Sequence, residues 1–217
     1  DELPEIAAKK LTFSAYTDDA DFSLRDSVIY FRGEPVLDQR KTKLPGIHNA
    51  ENLMAALAMG HAFGLDFDKM AAAVTEYTAP AHRCEFVRTL NGVRFVNDSK
   101  ATNLDSVEKA ILSQEGSLVL IAGGKDKGCE FDPIAPLIRE RVKAAVLIGE
   151  MKERISKSWS GVPVQLADTL EEAVGKARAV AQPGDTVLFS PGTSSYDMFR
   201  NYGERGNRFK EAVKALN

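Results

Sequence analysis

Short apolar runs alternate with amphipathic segments through the last two thirds of the chain. The runs at residues 118–122, 144–148 and 186–189 are continuous, which is typical of strands buried on both faces of a sheet. Apolar residues at helical spacing predict helices at 133–140, from about 152, at 169–180 and at 207–216, with a further strand at 162–166. This alternation predicts an α/β fold with a doubly wound, mostly parallel, Rossmann-like sheet.

An Asn-Gly pair marks a hairpin at the start of this region. Residues 84–97 form two strand-like runs that meet at Asn91-Gly92, a dipeptide that tight hairpin turns prefer. A helical pattern from Leu104 to about residue 113 follows. The hairpin would therefore give the parallel sheet an antiparallel edge.

The first third of the chain has a different pattern. It predicts a strand at 10–14, a hairpin at 26–37, a helix opened by Asn49 and ended by Gly64, and a second helix at 68–77. Thr78-Ala79-Pro80-Ala81 then interrupts the periodicity. We therefore predict two domains, residues 1–80 and 81–217.

Composition narrows the class of protein. The 217 residues carry a net charge of −3 and 44% hydrophobic side chains, typical of a globular protein without the basic surface that nucleic acids need. No apolar run is long enough to cross a membrane. Cys84 and Cys129 lack metal-ligand spacing and are expected to be reduced thiols. These features predict a cytoplasmic protein with no nucleic-acid or membrane partner, and we expect a monomer.

The corner, residues 97–103, is the first candidate site. Ligands of open α/β sheets bind beyond the carboxyl ends of the strands, and the corner joins such an end to a helix. Its sequence, Asn-Asp-Ser-Lys-Ala-Thr-Asn, offers a carboxylate for ribose hydroxyls and an ammonium for phosphate. The alternative is a helix cap, because Asp98, Ser99 and Thr102 all favour that position. The residues alone leave both interpretations open.

Two further loops follow predicted strands. The glycine–lysine loop, residues 123–128, combines three glycines with Lys125 and Lys127, which suits an anion but also an ordinary solvated turn. The hydroxyl loop, residues 190–197, has three hydroxyl side chains after Gly192. Those hydroxyls can hold a carboxylate or phosphate, although for the loop alone a capped turn is the better explanation.

Two polar pairs lie outside these loops. Asn49 and Asn52 are one helical turn apart and can read a base edge, although a helix-capping role for Asn49 is the simpler explanation. His82-Arg83 follows the interdomain segment, and such a pair alone is more often a surface feature.

Together these motifs resemble the Mur ligases. The resemblance rests on Gly46-Ile47-His48-Asn49-Ala50-Glu51-Asn52, His82-Arg83-Cys84-Glu85, the corner and the glycine–lysine loop. The ending, from Ser190-Pro191 through Ser195-Tyr196-Asp197 to Arg205-Gly206 and Phe209, resembles the branch of the family that adds D-glutamate.

The resemblance implies an ATP- and Mg²⁺-dependent amide-bond ligase of peptidoglycan synthesis, with UDP-N-acetylmuramoyl-L-alanine and D-glutamate as the other substrates. It assigns nucleotide contacts to Asn49, Asn52, Arg83 and Asp98, D-glutamate contacts to Thr102, Lys127, Ser195 and Tyr202, and catalytic roles to His82 and Lys100. It assigns no metal ligand within this chain.

One departure limits what the chain itself is expected to do. The family's Gly-Thr-Asn-Gly-Lys-Ser/Thr phosphate loop appears nowhere in the sequence, and the chain begins without methionine. We therefore expect the carboxyl-terminal part of a ligase, with residues 1–80 as the tail of an α/β ATPase domain and most Mg²⁺ ligands elsewhere. The alternatives are a non-catalytic nucleotide- or amino-acid-binding module and a folylpolyglutamate-type ligase. Gly192-Thr193-Ser194 also replaces the family's usual small residues, which leaves the shape of the glutamate pocket open.

Overall fold

The computed structural model describes Ala8 and residues 10–217. The chain divides into two compact units, Asp1–Ala79 and Pro80–Asn217. The division falls inside the segment where the helical periodicity of the sequence stops.

The first unit combines a small sheet with two helices. Strands β1 (Phe13–Ser14), β2 (Phe22–Arg25), β3 (Val28–Phe31) and β4 (Glu34–Asp38) lie in the order β1-β2-β3-β4, and only the β1–β2 pair is parallel. Helices α1 (Ile47–Ala62) and α2 (Phe67–Glu76) follow. Phe22, Ile29 and the buried face of α1 form the core. The hairpin prediction is confirmed, whereas β2 was not predicted.

Helix α1 begins earlier than the sequence indicated. Gly46 occupies the N-cap position, and Asn49 lies in the first turn with its amide donating to the Pro45 carbonyl (2.7 Å). The prediction that Asn49 caps this helix is therefore wrong. A glycine at φ +90° lets the chain enter the helix three residues sooner.

The second unit alternates strands and helices along the chain. Its strands are β5 (Glu85–Leu90), β6 (Val93–Asn97), β7 (Leu118–Gly123), β8 (Val142–Ile148), β9 (Val164–Leu166) and β10 (Thr186–Phe189). Its helices are α3 (Leu104–Leu112), α4 (Ala135–Arg141), α5 (Lys152–Ser158), α6 (Leu170–Val180) and α7 (Tyr202–Ala215).

The six strands form one sheet in the order β5-β6-β10-β7-β8-β9. Every pairing is parallel except the β5–β6 hairpin. The predicted parallel sheet with an antiparallel edge is confirmed. Because β10 inserts between β6 and β7, the carboxyl ends of these three strands are neighbours.

Helices cover both faces of this sheet. Residues of α3, α4 and α5 pack with Leu118, Leu120 and Leu147 in one apolar cluster. Residues of α6 and α7 pack with Val119, Ile121 and the other strand faces in a second cluster. Alternate residues of each strand thus point to opposite helical layers, as a doubly wound fold requires.

The last helix also begins earlier than predicted. We expected it from about Asn207, but α7 begins at Tyr202, with Asn201 as N-cap accepting from the Glu204 amide (2.9 Å). Gly203 and Gly206 weaken the helical signal in the sequence. The earlier start places Arg205 inside the helix.

Candidate functional site

The carboxyl ends of β6, β10 and β7 are joined by main-chain hydrogen bonds beyond their ladders. Asp98 N–H donates to the Phe189 carbonyl (2.7 Å), and Ser190 N–H donates to the Ile121 carbonyl (3.1 Å). Gly123 N–H donates to the Pro191 carbonyl (2.9 Å). The corner, the hydroxyl loop and the glycine–lysine loop therefore start from one fixed edge.

Asp98 is a buried carboxylate at this edge, with 7% of its surface exposed. Oδ1 accepts from the Cys84 amide (3.1 Å), and Oδ2 accepts from the Ser190 hydroxyl (2.8 Å). Burial raises the pKa of Asp98 to about 6, although both hydrogen bonds and Arg83 act to lower it. Each oxygen of this carboxylate accepts one hydrogen bond and keeps a lone pair for a further donor, which fits the expected contact with ribose hydroxyls.

Asp98 does not cap the following helix. The side chain of Asn103 caps α3, accepting from the Ser106 amide (2.8 Å). The capping alternative for Asp98, Ser99 and Thr102 is therefore wrong. Asp98 and Ser99 make tertiary contacts instead.

His82 lies in a buried polar network beneath the corner. Asn97 Nδ2 donates to His82 Nδ1 (2.9 Å) and also lies 3.1 Å from Glu85 Oε2. Glu85 in turn pairs with Lys210 of α7 (3.0 Å). Burial, followed by the charge of Lys210, lowers the pKa of His82 below 6.5. The imidazole is therefore neutral at pH 7, and because Nδ1 accepts, Nε2 carries the proton.

The His82 ring also packs against the backbone of α7. A Cβ added at Gly206 would overlap the ring, so this position in the helix requires glycine. The corner is attached here too, since Lys100 N–H donates to the His82 carbonyl (3.0 Å). His82 is thus fixed between α7 and the corner, while its neighbour Arg83 is exposed.

Arg205 enters the same edge from α7 and was not predicted as a site residue. Its guanidinium donates to Ser99 Oγ (3.1 Å), to the Ser99 carbonyl (2.8 Å) and to the Thr193 carbonyl (3.2 Å). Burial lowers the pKa of Arg205 to about 10, so the group stays charged at neutral pH.

Residues 190–195 of the hydroxyl loop are buried, so this part of the loop is not an ordinary exposed turn. Ser190, Thr193, Ser194 and Ser195 each expose less than one twentieth of their surface. The loop also touches the glycine–lysine loop, because Lys125 N–H donates to the Ser194 carbonyl (3.0 Å). Gly124, at φ +143°, allows this approach, since a Cβ there would meet Thr193 and Ser194.

Four predicted site residues have side chains at or near the surface of this edge. Lys127 is exposed. Its neighbour Asp126 forms an ion pair with Arg154 (3.6 Å) and not with Lys127. Lys100 Nζ lies 3.9 Å from the centroid of the Tyr202 ring, a cation–π contact. Thr102 is half-buried in the corner.

In the first unit, Asn49 and Asn52 lie near the start of α1. Asn49 is half-buried, and the exposed Asn52 amide lies 3.2 Å from His48 Nε2.

Several residues of the site escaped the sequence-based prediction. Asn97, Ser99, Ser190, Glu85 and Arg205 position the predicted residues. The signal that could have found Arg205 is its place one turn after Tyr202 and one turn before Phe209, on the side of α7 that faces the sheet.

The described residues hold no group of three or more His, Cys, Asp or Glu side chains placed to bind a metal ion. The buried oxygens of Asp98 already accept protein hydrogen bonds. Within residues 10–217, no helix has the length and apolar character needed to cross a membrane.

Thr193 has a buried hydroxyl group at this edge of the sheet. Its side chain is fully buried, and among the described residues its hydroxyl has no hydrogen-bond partner. We expect Thr193→Val to stabilise the protein by about 1 kcal/mol, because an unpaired buried hydroxyl is removed while the shape is kept. Urea unfolding of the 217-residue chain, followed by the fluorescence of Trp159, measures the change.

Thr193→Ala is the matched control and should destabilise the chain, because it also removes a buried methyl group. A less stable Thr193→Val chain would show that the hydroxyl has a partner, such as a buried water molecule.

The family model described as "Mur ligase, glutamate ligase domain" matches residues 82–192. The UDP-N-acetylmuramoylalanine–D-glutamate ligase of Geobacter metallireducens is 49% identical over 88% of this chain and 43% of its own length. The ligase of the same name from Symbiobacterium thermophilum is 42% identical over 98% of the chain and 49% of its own length. The chain therefore spans less than half the length of these relatives.

Solved structures share the fold at low sequence identity. The UDP-N-acetylmuramate–alanine ligase of Thermotoga maritima superposes with a TM-score of 0.66 at 15% identity, covering 94% of this chain and 48% of its own. A folylpolyglutamate synthase of Mycobacterium tuberculosis, solved with ADP and AMPPCP, gives a TM-score of 0.64 at 18% identity, covering 88% and 48%. The family model spans more than half of the chain and includes the corner and the glycine–lysine loop. The chain therefore belongs to the Mur ligase family and carries its glutamate ligase domain.

Proposed function

We propose that this chain is the carboxyl-terminal part of an ATP-dependent ligase that adds D-glutamate to UDP-N-acetylmuramoyl-L-alanine in the cytoplasm. The observation that carries the proposal is the hydrogen-bonded meeting of three polar loops at one sheet edge. The names of the relatives support the choice of D-glutamate as the incoming amino acid.

The reaction needs the alanyl carboxylate to become an electrophile. Its oxygen attacks the γ-phosphorus of ATP, and ADP leaves, which gives an acyl phosphate. The amine of D-glutamate then attacks the acyl carbon and loses a proton. The tetrahedral intermediate expels phosphate and leaves an amide bond. Each reactant is anionic, so the protein must supply positive charge and fixed hydrogen-bond donors.

The nucleotide contacts are assigned to one carboxylate, one guanidinium and two side-chain amides. Asp98 accepts the ribose hydroxyls, Arg83 lies near the phosphates, and Asn49 and Asn52 contact the adenine. Mg²⁺, when bound, would neutralise phosphate charge, and its ligands lie mainly outside this chain.

His82 and Lys100 are the proposed catalytic residues. Lys100 is half-buried in the corner, and its ammonium can leave the Tyr202 ring to neutralise charge on the transferred phosphoryl group. His82 is neutral with its proton on Nε2, which makes it a hydrogen-bond donor towards the same group.

D-Glutamate has two carboxylates, and the site offers two places for them. Lys127 binds one as an exposed cation at the end of the glycine–lysine loop. Ser195 and the main chain of Tyr202 bind the other, while Thr102 approaches the amino acid from the corner. Both places lie at the edge where these loops meet.

We expect the full-length protein to release phosphate from ATP only when both other substrates are present, whereas the 217-residue chain alone should release none. The sequence of this chain has no phosphate loop to hold the γ-phosphate. A coupled phosphate-release assay of both proteins measures this difference.

Three outcomes would contradict the proposal. Phosphate release by the purified 217-residue chain would show that its own residues suffice. A full-length protein that accepts a folate instead would favour the folylpolyglutamate-type alternative. Substrate binding without turnover would favour a non-catalytic module.

A further inference from the structure

Arg205 is a buried charge whose hydrogen-bond partners are all neutral. Its side chain is 1% exposed, and its three hydrogen bonds go to the Ser99 hydroxyl and to the carbonyls of Ser99 and Thr193. Asp197 acts on it only through space. A buried guanidinium that has no carboxylate partner among the described residues is unfavourable for folding, which makes a functional role worth testing.

The hydrogen bonds of Arg205 join two parts of the site directly. Ser99 lies in the corner, and Thr193 lies in the hydroxyl loop. Ser99 Oγ passes the connection on by donating to the Tyr202 carbonyl (2.8 Å). Ser194, next to Thr193, accepts from the Lys125 amide of the glycine–lysine loop.

The planar fork of arginine suits this task. Nη1 reaches one loop while Nη2 and Nε reach the other, so the distance between the two loops is fixed by one rigid group. A lysine ammonium would keep the charge but has no such spacing between donors.

We propose that Arg205 is a positioning residue for the second substrate carboxylate. It holds the hydroxyl loop, which carries Ser195, and the Tyr202 main chain at the spacing that this one carboxylate requires, and it adds positive charge behind them. The identity of the dicarboxylate as D-glutamate rests on the proposed function.

The test compares three variants of the full-length protein: Arg205→Met, Arg205→Lys and the matched control Arg208→Met. Arg208 lies on the same helix, is half exposed and pairs with Glu171. The KM values for D-glutamate and ATP are measured for each variant. Amide hydrogen exchange of residues 97–103 and 190–197 is measured in parallel.

We expect Arg205→Met to raise the KM for D-glutamate at least about tenfold while the KM for ATP changes by less than about twofold. Arg205→Lys should recover part of this loss, since it restores the charge without the fork. Both loops should exchange faster in the two Arg205 variants, and Arg208→Met should match the wild type. If Arg205→Met does not fold, the same KM values and hydrogen-exchange rates are compared for Arg205→Lys and Ser99→Ala.

Equal changes in both KM values, or unchanged exchange in both loops, would overturn the positioning role while leaving the ligase activity intact. A wild-type protein that does not use D-glutamate would instead refute the proposed function. The positioning role would then be judged by hydrogen exchange alone.

Discussion

Asp98→Asn should weaken ATP binding to the full-length protein by about 100-fold at pH 7.5, roughly 3 kcal/mol. The substitution removes the negative charge of the carboxylate that we propose accepts hydrogen bonds from the ribose hydroxyls. Charge-assisted hydrogen bonds contribute about 1.5–3 kcal/mol each. The asparagine fits the folded site, because its oxygen can accept from Cys84 while its amide donates to Ser190. Calorimetric titration with ATP measures the change, and an affinity equal to that of the wild type would exclude the ribose contact.

The same residue predicts how ATP affinity depends on pH. Because burial raises the pKa of Asp98 to about 6, the carboxylate that ribose needs is protonated progressively below that pH. Wild-type affinity should therefore fall as the pH decreases from 7 to 5, whereas the affinity of Asp98→Asn should vary much less. Parallel pH profiles that do not differ would contradict the assignment.

The pH dependence that Asp98 gives to folding stability has the opposite sign to the pH dependence of ATP affinity. A carboxyl with a raised pKa in the folded state is most favourable when protonated, so its contribution is present below the unfolded pKa and is lost as the pH rises to about 6. About two pKa units correspond to at most about 3 kcal/mol. The stability of the wild type relative to Asp98→Asn should therefore decrease between pH 4 and 7. This cost is consistent with a carboxylate kept for binding.

The sheet could be predicted because its strands carry their own signal. Runs such as residues 118–122 are apolar at every position, since helices cover both faces, and this pattern differs from that of amphipathic helices. The Asn91-Gly92 turn fixed the antiparallel edge in the same local way. Short strands lack such a signal. Strand β2, Phe22-Ser23-Leu24-Arg25, has only two apolar positions, and its pairing with β1 and β3 is not visible in the local sequence.

Helix starts were less predictable because several residues competed for each cap. Asn49 and Asp98 are good capping residues, yet Gly46 and Asn103 hold those positions. The tertiary hydrogen bonds of Asp98 are with residues 14 and 92 positions away, so no local pattern encodes them. Long-range pairing overrode the local preference.

The position of the candidate site in the fold could be predicted, but the residues that support it could not. The corner and the two loops could be placed at one sheet edge because parallel strands all end there. Arg205 belongs to the motif that carries the resemblance, but its buried role was not predicted, since a single arginine in a polar helix is normally solvated. Gly206 appeared to interrupt that helix, whereas the structure uses it to admit the His82 ring. Residues that position others thus depend on contacts that only the fold creates.

Lys127→Ala should raise the KM for D-glutamate by about 30-fold in the full-length protein, roughly 2 kcal/mol, and leave the KM for ATP nearly unchanged. Lys127 is exposed at the end of the glycine–lysine loop, and a bound carboxylate would form a charge-assisted contact with it. The contact is made to the incoming amino acid in both ground and transition states, so KM should change more than kcat. Steady-state kinetics with each substrate varied in turn measures both values.

Lys125→Ala is the matched comparison, because it removes the same charge two residues away. Lys125 is engaged through its main chain, which donates to Ser194, so the loop should keep its shape when the side chain is shortened. We expect its KM for D-glutamate to rise less than about threefold. Equal effects of the two substitutions would mean that the loop attracts D-glutamate through its total charge, and that Lys127 does not make the specific contact. An effect of Lys125 alone would move the carboxylate towards the hydroxyl loop, where the Lys125 main chain already meets Ser194.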